Sequence, residues 1–189
     1  LSGTVDREES LLGPYPFKLV DMLRGADPEP VRAAYAGLDE ATLAKAFFAD
    51  SLFRGPARFL AGEMPRVSKP AWLYVFSYVG EKQRASAPGA AHSDDVAFVF
   101  GDLGLRGRWR GDAPPTAADR NMATTVMSYW VNFAKHGNPN GPGLTTWPPY
   151  QRVSDELLEM GPTISVRKPE REAVLRFLDR GYEAALRKP

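Results

Sequence analysis

The sequence predicts a helix-rich α/β fold around one central strand buried on both faces, with a few short strands beside it. Three observations carry that expectation. Residues 72–79 (Trp-Leu-Tyr-Val-Phe-Ser-Tyr-Val) are apolar at nearly every position, as in a strand covered on both sides. Met122, Val126, Tyr129, Trp130 and Phe133 recur at the spacing of a single helix face. Gly and Pro, 17 of each, divide the remainder into short segments.

The elements follow in order. Residues 1–6 read as the tail of a strand running into a turn. Pro14, Pro16, Gly25, Pro28 and Pro30 punctuate the next stretch. A short helix is expected over 31–36, with Pro30 near its first turn. Asp39 reads as the N-cap of a longer helix, whose inner face carries Leu43, Ala44, Phe47, Phe48 and Leu52. Gly55-Pro56 is expected to interrupt it, with a second helix over 57–62. Polar loops are expected over 80–89 and 102–115. Gly137 reads as a helix stop, and residues 138–143 as a solvated turn. Residues 157–160 and 163–166 would pair through Gly161-Pro162. A final helix should begin near Pro169, burying Val174, Leu175, Leu178 and Tyr182. These segments offer the central strand few neighbours, so another polypeptide is expected to supply its sheet.

Composition limits the chemistry. With 189 residues and 43% hydrophobic content, the chain suits one domain with a core. A balance of 24 basic against 23 acidic residues gives no electrostatic case for nucleic acid or an anionic membrane. No apolar run approaches the roughly 20 residues of a membrane span. The absence of cysteine excludes disulfides, thiolate nucleophiles and cysteine–zinc sites. The two histidines, His92 and His136, lack metal-ligand spacing, and no glycine-rich phosphate loop occurs. No metal or organic cofactor is expected.

The stretch Gly89-Ala-Ala-His92-Ser-Asp-Asp95-Val-Ala-Phe-Val-Phe-Gly101 puts a histidine on the loop after the central strand, before a short aromatic helix. General acid–base groups are often mounted on such loops; a purely structural histidine is the alternative. His136 fits a helix C-terminus, where a cation is favoured. Glu8, taken alone, also suits the first turn of a helix. Ser51 and Ser93 lie near the candidate residues in sequence, but no Gly-x-Ser-x-Gly elbow surrounds either. Tyr129, Trp130 and Phe133 read as core.

Beyond these local signals, the chain resembles the C-terminal part of a type B carboxylesterase, the family that includes cholinesterases and para-nitrobenzyl esterases. The likeness runs through Gly3-Thr-Val-Asp-Arg-Glu8-Glu-Ser-Leu-Leu12, Ala49-Asp50-Ser-Leu-Phe53-Arg-Gly-Pro56, the His92 stretch, Trp130-Val-Asn-Phe-Ala-Lys-His-Gly-Asn-Pro-Asn140 and Trp147-Pro-Pro-Tyr150. It implies that residues 1–189 form the C-terminal part of an α/β-hydrolase domain rather than a complete catalytic domain. It also implies a carboxylic-ester hydrolase with a Ser-Glu-His mechanism. His92 would be the base and acid, Glu8 the carboxylate that orients it, and Asp50 and Asp95 would support the pair from behind. Arg7 and Glu9 depart from the family pattern beside Glu8, which leaves Glu8 and Glu9 both as candidates for the triad acid. The serine elbow and oxyanion hole would come from an N-terminal segment of the same esterase, with a small-molecule ester as substrate. On this reading the chain alone is inactive. An esterase-like binding protein without hydrolysis, and an independent α+β binding domain, are the alternatives.

Overall fold

The computed structural model describes residues 1–13, 18–23, 27–104 and 114–187. Pro14, Pro16, Gly25 and residues 105–113 of the second expected loop lie outside them. Strand β1 (Ser2–Val5) leads into a 3-10 turn (Glu8–Leu12). Helices α1 (Leu19–Leu23), α2 (Glu29–Ala34) and α3 (Glu40–Ala49) follow. A π turn (Asp50–Arg54) joins α3 to α4 (Gly55–Glu63), and β2 (Leu73–Phe76) comes next. Helix α5 (Asp94–Val99) precedes the long α6 (Ala117–His136). The hairpin β3 (Leu157–Met160) and β4 (Ile164–Arg167) leads to α7 (Glu172–Leu186).

The four strands form one sheet in the order β1-β2-β3-β4. β1, β2 and β3 are parallel, and β4 returns antiparallel to β3. The central strand β2 thus finds both neighbours within this chain, which corrects the expectation of a sheet supplied entirely from elsewhere. β1 matches the strand tail read at residues 1–6, but its pairing with β2 leaves no local signal because the two strands lie some seventy residues apart. Among the described residues β1 is an edge strand. β2 is also shorter than its apolar run. Ser77 and Tyr78 both donate their N–H to the Met160 carbonyl (3.1 and 3.0 Å), so the ladder ends there.

Side-chain alternation sends Tyr74 and Phe76 to one face of β2, Leu73 and Val75 to the other. On the first face Phe76 packs with Phe98 of α5, Met122, Val126 and Tyr129 of α6, and Trp147. On the second, Leu73 and Val75 meet Ala61 of α4, Tyr150 and Leu157. Burying a side chain such as Phe76 fully contributes about 1.5–3 kcal/mol. A separate cluster joins α1, α2, α3 and α7 through Leu19, Val31, Tyr35, Leu43, Phe47, Val174, Leu175 and Leu178. The result is a sheet between two helical layers, with a helical annex beside it.

Local signals explain most boundaries. The Asp39 carboxylate caps α3 by accepting the N–H of Ala41 and Thr42. Thr116 and Asp119 form a reciprocal capping box on α6, and Gly137 ends that helix in the left-handed conformation (φ 68°). Gly55-Pro56 does not break the helix, contrary to the sequence expectation. The Gly55 N–H donates to the Asp50 carbonyl five residues back, and this wider turn accommodates the proline, which has no N–H to offer. The Ser51 carbonyl accepts the Tyr182 hydroxyl instead (2.9 Å). The breaker-dense loop after Gly137 does more than turn. The Asn140 amide brackets Trp147, accepting its N–H (2.7 Å) and donating to its carbonyl (2.9 Å). This locks the fully buried indole, whose Nε1–H donates to the Leu73 carbonyl (3.0 Å).

Candidate active site

The site forms where β1 and β2 end, the usual location for function in a parallel α/β sheet. After Val5 the chain curls into the 3-10 turn and carries Glu8 inward. Glu8 is buried, only 4% exposed. Its Oε1 accepts the Val5 N–H (2.9 Å), which fixes the carboxylate. Its Oε2 lies 2.5 Å from His92 Nδ1. The two residues stand 84 positions apart in sequence, so only the adjacency of β1 and β2 brings them together. The His92 side chain keeps 32% of its surface open. A buried acid therefore backs an imidazole that an incoming group can reach.

The imidazole is fixed by its loop as well as by Glu8. The His92 N–H donates to Ser10 Oγ (2.7 Å). Phe53 of the π turn meets the ring edge-on, centroids 5.3 Å apart. Ser93 adopts a left-handed conformation (φ 71°) at the start of α5, a strained geometry for a residue with a side chain. Glu9, the other acid candidate, turns away and pairs with Arg7 Nε (3.0 Å).

Asp50 and Asp95 do not contact this pair directly. Asp50, 1% exposed, accepts the Tyr35 hydroxyl (3.0 Å) and pairs with Arg54 (2.8 Å) and Arg171 (3.1 Å). Arg54 also donates to the Asp6 backbone carbonyl, which ties the Asp50 cluster to the turn bearing Glu8. Asp95 accepts the Tyr74 hydroxyl (2.9 Å). Burial, then the charges of Asp95 and Glu8, push the Tyr74 phenol above its ordinary range, so it stays a donor. Tyr74 lies across β1 only because Gly3 has no side chain; a β carbon there would sit 2.2 Å from the ring. His136 is exposed at the end of α6, far along the chain from the pair.

Sequence reasoning named His92, Glu8, Asp50 and Asp95 but missed Ser10, Phe53, Arg54 and Tyr74. The first three lie within stretches already singled out, yet their contacts span from 39 to 82 residues and follow no local periodicity. A cavity of about 340 Å³ adjoins the back of the His92 loop, walled by residues including Arg7, Ser10, Tyr78, Ala91 and Phe98. Neither Glu8 nor His92 lines it.

Comparison with known proteins bears on the family and the fold. The family model described as "Carboxylesterase family" matches residues 38–178, a stretch that includes His92, Asp50 and Asp95 and begins after Glu8. Pig (Sus scrofa) liver carboxylesterase is 30% identical over 172 residues, 89% of this chain and 28% of its own length. Carboxylesterase 1C of Mus musculus is 31% identical over 152 residues, 78% of this chain and 24% of its own. A medium-chain fatty acyl-CoA hydrolase precursor of Anas platyrhynchos is 36% identical over 126 residues, 63% of this chain and 21% of its own. The chain thus spans between a fifth and three tenths of these relatives. Among solved structures, a para-nitrobenzyl (PNB) esterase superposes with a TM-score of 0.76 at 24% identity, covering 93% of this chain and 37% of the other. A thermophilic PNB esterase gives 0.75 at the same identity and coverage. These likenesses give the fold as part of an α/β-hydrolase, and the matched residues place the chain in the carboxylesterase family.

Proposed function

We propose that residues 1–189 supply the proton-transfer half of a carboxylic-ester hydrolase, with the nucleophile and oxyanion hole on an N-terminal segment of the same enzyme. The observation that carries this reading is the contact between His92 Nδ1 and the buried Glu8 carboxylate, whose other oxygen is held by a backbone N–H. A carboxylate so placed fixes the tautomer that leaves Nε2 as the base, and it stabilises the imidazolium that forms. Glu8 is the triad acid in this scheme, because Glu9 pairs with Arg7.

The chemistry runs in two steps. His92 Nε2 takes the proton of a serine hydroxyl as its oxygen attacks the ester carbonyl. It returns that proton to the departing alcohol, which leaves an acyl-serine. Water then attacks the acyl carbon, giving its proton to His92, and the proton passes back to the serine as the acid departs. No cofactor takes part. The substrate is a small-molecule ester. The N-terminal segment would add its strands at the open edge of β1 and complete the cleft over His92.

The test is reconstitution. This chain, combined with a segment carrying Gly-x-Ser-x-Gly, should hydrolyse a chromogenic short-chain ester, and either part alone should not. In that complex His92→Ala and Glu8→Gln should each lower kcat by about 10³–10⁴-fold, while Glu9→Gln should stay within about threefold. Activity of the H92A complex near that of the parent would refute the role of His92. Turnover by the purified 189-residue chain alone would refute the division of labour. A natural partner segment lacking the serine would replace hydrolysis with a binding function.

A further inference from the structure

The Tyr74 hydroxyl is a polar group on a face of β2 that packs against apolar side chains. Phe76, two residues on, fills the same layer with a bare ring. The Tyr74 ring is fixed from several sides. It lies across Gly3 of β1, which has no side chain to collide with it. It meets Trp130 of α6 edge-on, centroids 5.2 Å apart, and Trp147 edge-on at 6.0 Å. Trp147 is itself held by the Asn140 bracket. At the far end of this fixed ring the hydroxyl donates to Asp95 Oδ2 (2.9 Å). Asp95 stands in the first turn of α5, three residues after His92.

Between the imidazole and that helix the chain makes a tight turn. The Ala91 N–H donates to Asp94 Oδ2 (2.8 Å) and the Asp94 N–H to the Ala91 carbonyl (2.9 Å), with His92 and Ser93 at the corner. Ser93 is left-handed (φ 71°), a conformation that persists only where surrounding contacts over-determine it. On the upstream side those contacts come from the segment that carries Glu8. The Arg7 N–H donates to the Ala90 carbonyl (3.1 Å), and the His92 N–H to Ser10 Oγ (2.7 Å). The Tyr74–Asp95 bond fixes the downstream side, where α5 begins. That helix has six residues, so its own hydrogen bonds do little to hold its first turn. A phenylalanine at 74 would pack equally well against both tryptophans; the added oxygen serves the turn.

We propose that Tyr74 is a positioning residue for ester hydrolysis: its hydroxyl, through Asp95, holds the start of α5 so that the His92 imidazole stays within hydrogen-bond reach of Glu8. The proposal rests on the hydrolase reading above, and the test separates the two. In the reconstituted enzyme, with only this chain isotope-labelled, two histidines are visible by NMR, and exposed His136 is an internal reference. The proton shared between His92 Nδ1 and Glu8 should give a far-downfield signal in the parent. Tyr74→Phe removes one oxygen and keeps the ring. It should broaden or shift that signal and lower kcat by about tenfold, with KM unchanged and His136 unmoved. Asp95→Ala should do the same, and the double variant should be no worse than either single one, because the two groups act as one tie. An unaltered signal and kcat in Y74F, whatever its melting temperature, would overturn the proposal. So would a D95A enzyme that keeps both, or losses that multiply in the double variant. A parent that shows the signal but never turns over an ester sinks the hydrolase reading and leaves the tie to be judged by the signal alone.

Discussion

Two buried ionic clusters hang on one helical rod, and their contrast separates what holds the fold from what holds the site. Asp50, in the π turn, gathers Tyr35, Arg54 and Arg171. Arg58, four residues after Arg54 on α4, makes a bidentate pair with Asp155 (2.8 Å to each oxygen) and a second pair with Asp179. Tyr150 adds its hydroxyl to Asp155 (2.8 Å). The Arg58 cluster is sealed, with Arg58 at 4% and Asp155 at 1% exposure. It bolts α4 to the loop before β3 and to α7. In the Asp50 cluster the arginines stay partly wet, and Arg54 passes on to the Asp6 carbonyl and so to the Glu8 turn. Similar chemistry does different work because of what lies at the far end of the arginine.

The sharpest way to break the contrast is to remove the two centres separately. Arg58→Ala takes the cation from buried Asp155 and leaves Asp179 with its longer pair to Arg152 (3.6 Å). It should cost about 3–5 kcal/mol of stability, read from denaturant midpoints. Its kcat, measured below the melting temperature in the reconstituted enzyme, should stay within about threefold of the parent. Asp50→Ala leaves arginines that water can still reach and should cost less, about 1–3 kcal/mol. Yet its kcat should fall about tenfold, because Arg54 loses its orientation. Equal losses of activity in the two variants would erase the distinction.

A smaller effect sharpens it on the site side. Phe53→Ala removes the aromatic edge against His92 and should cost about 0.5–1.5 kcal/mol from that pair beyond the area lost, together with a fall in kcat. The last test is electrostatic. Burial raises the Asp6 carboxyl from its ordinary 3.8 to about 6, against the pull of the Ala90 N–H and Arg54, with Glu9 adding repulsion. Arg84 faces the same group across a small cavity. Between about pH 4 and 6 the folded state holds a proton that the unfolded chain has released. Asp6 therefore favours folding most below pH 4, and that contribution falls as pH rises through 6. D6N should flatten this part of the stability profile. A profile identical to the parent's would show that Asp6 ionises normally.

The legibility of these regions in sequence differs for physical reasons. Asp39, Gly137 and the apolar face of α6 announce themselves because capping and helical periodicity are local. The Glu8–His92 pair was found through motif resemblance, since nothing local links residues 84 positions apart. Within that resemblance the sequence left Glu8 and Glu9 open; the structure puts Glu8 against the imidazole and Glu9 against Arg7. Arg54 and Ser10 escaped notice because their value lies in long-range contacts with backbone atoms. β1 escaped as an in-chain neighbour because parallel pairing needs a long crossover that leaves no signature at either strand.

The π turn has a consequence for how this chain can vary in length. Such a turn is a helix carrying one surplus residue, so deleting exposed Leu52 would restore four-residue hydrogen bonding from Glu40 to Glu63. In that tighter rod the Pro56 ring would press on the carbonyl one turn back, at a cost of about 3 kcal/mol. The insertion and the proline are therefore tolerable only together: a lineage that lost the extra residue would have to replace Pro56, and one that gained the proline first would be pushed toward the insertion.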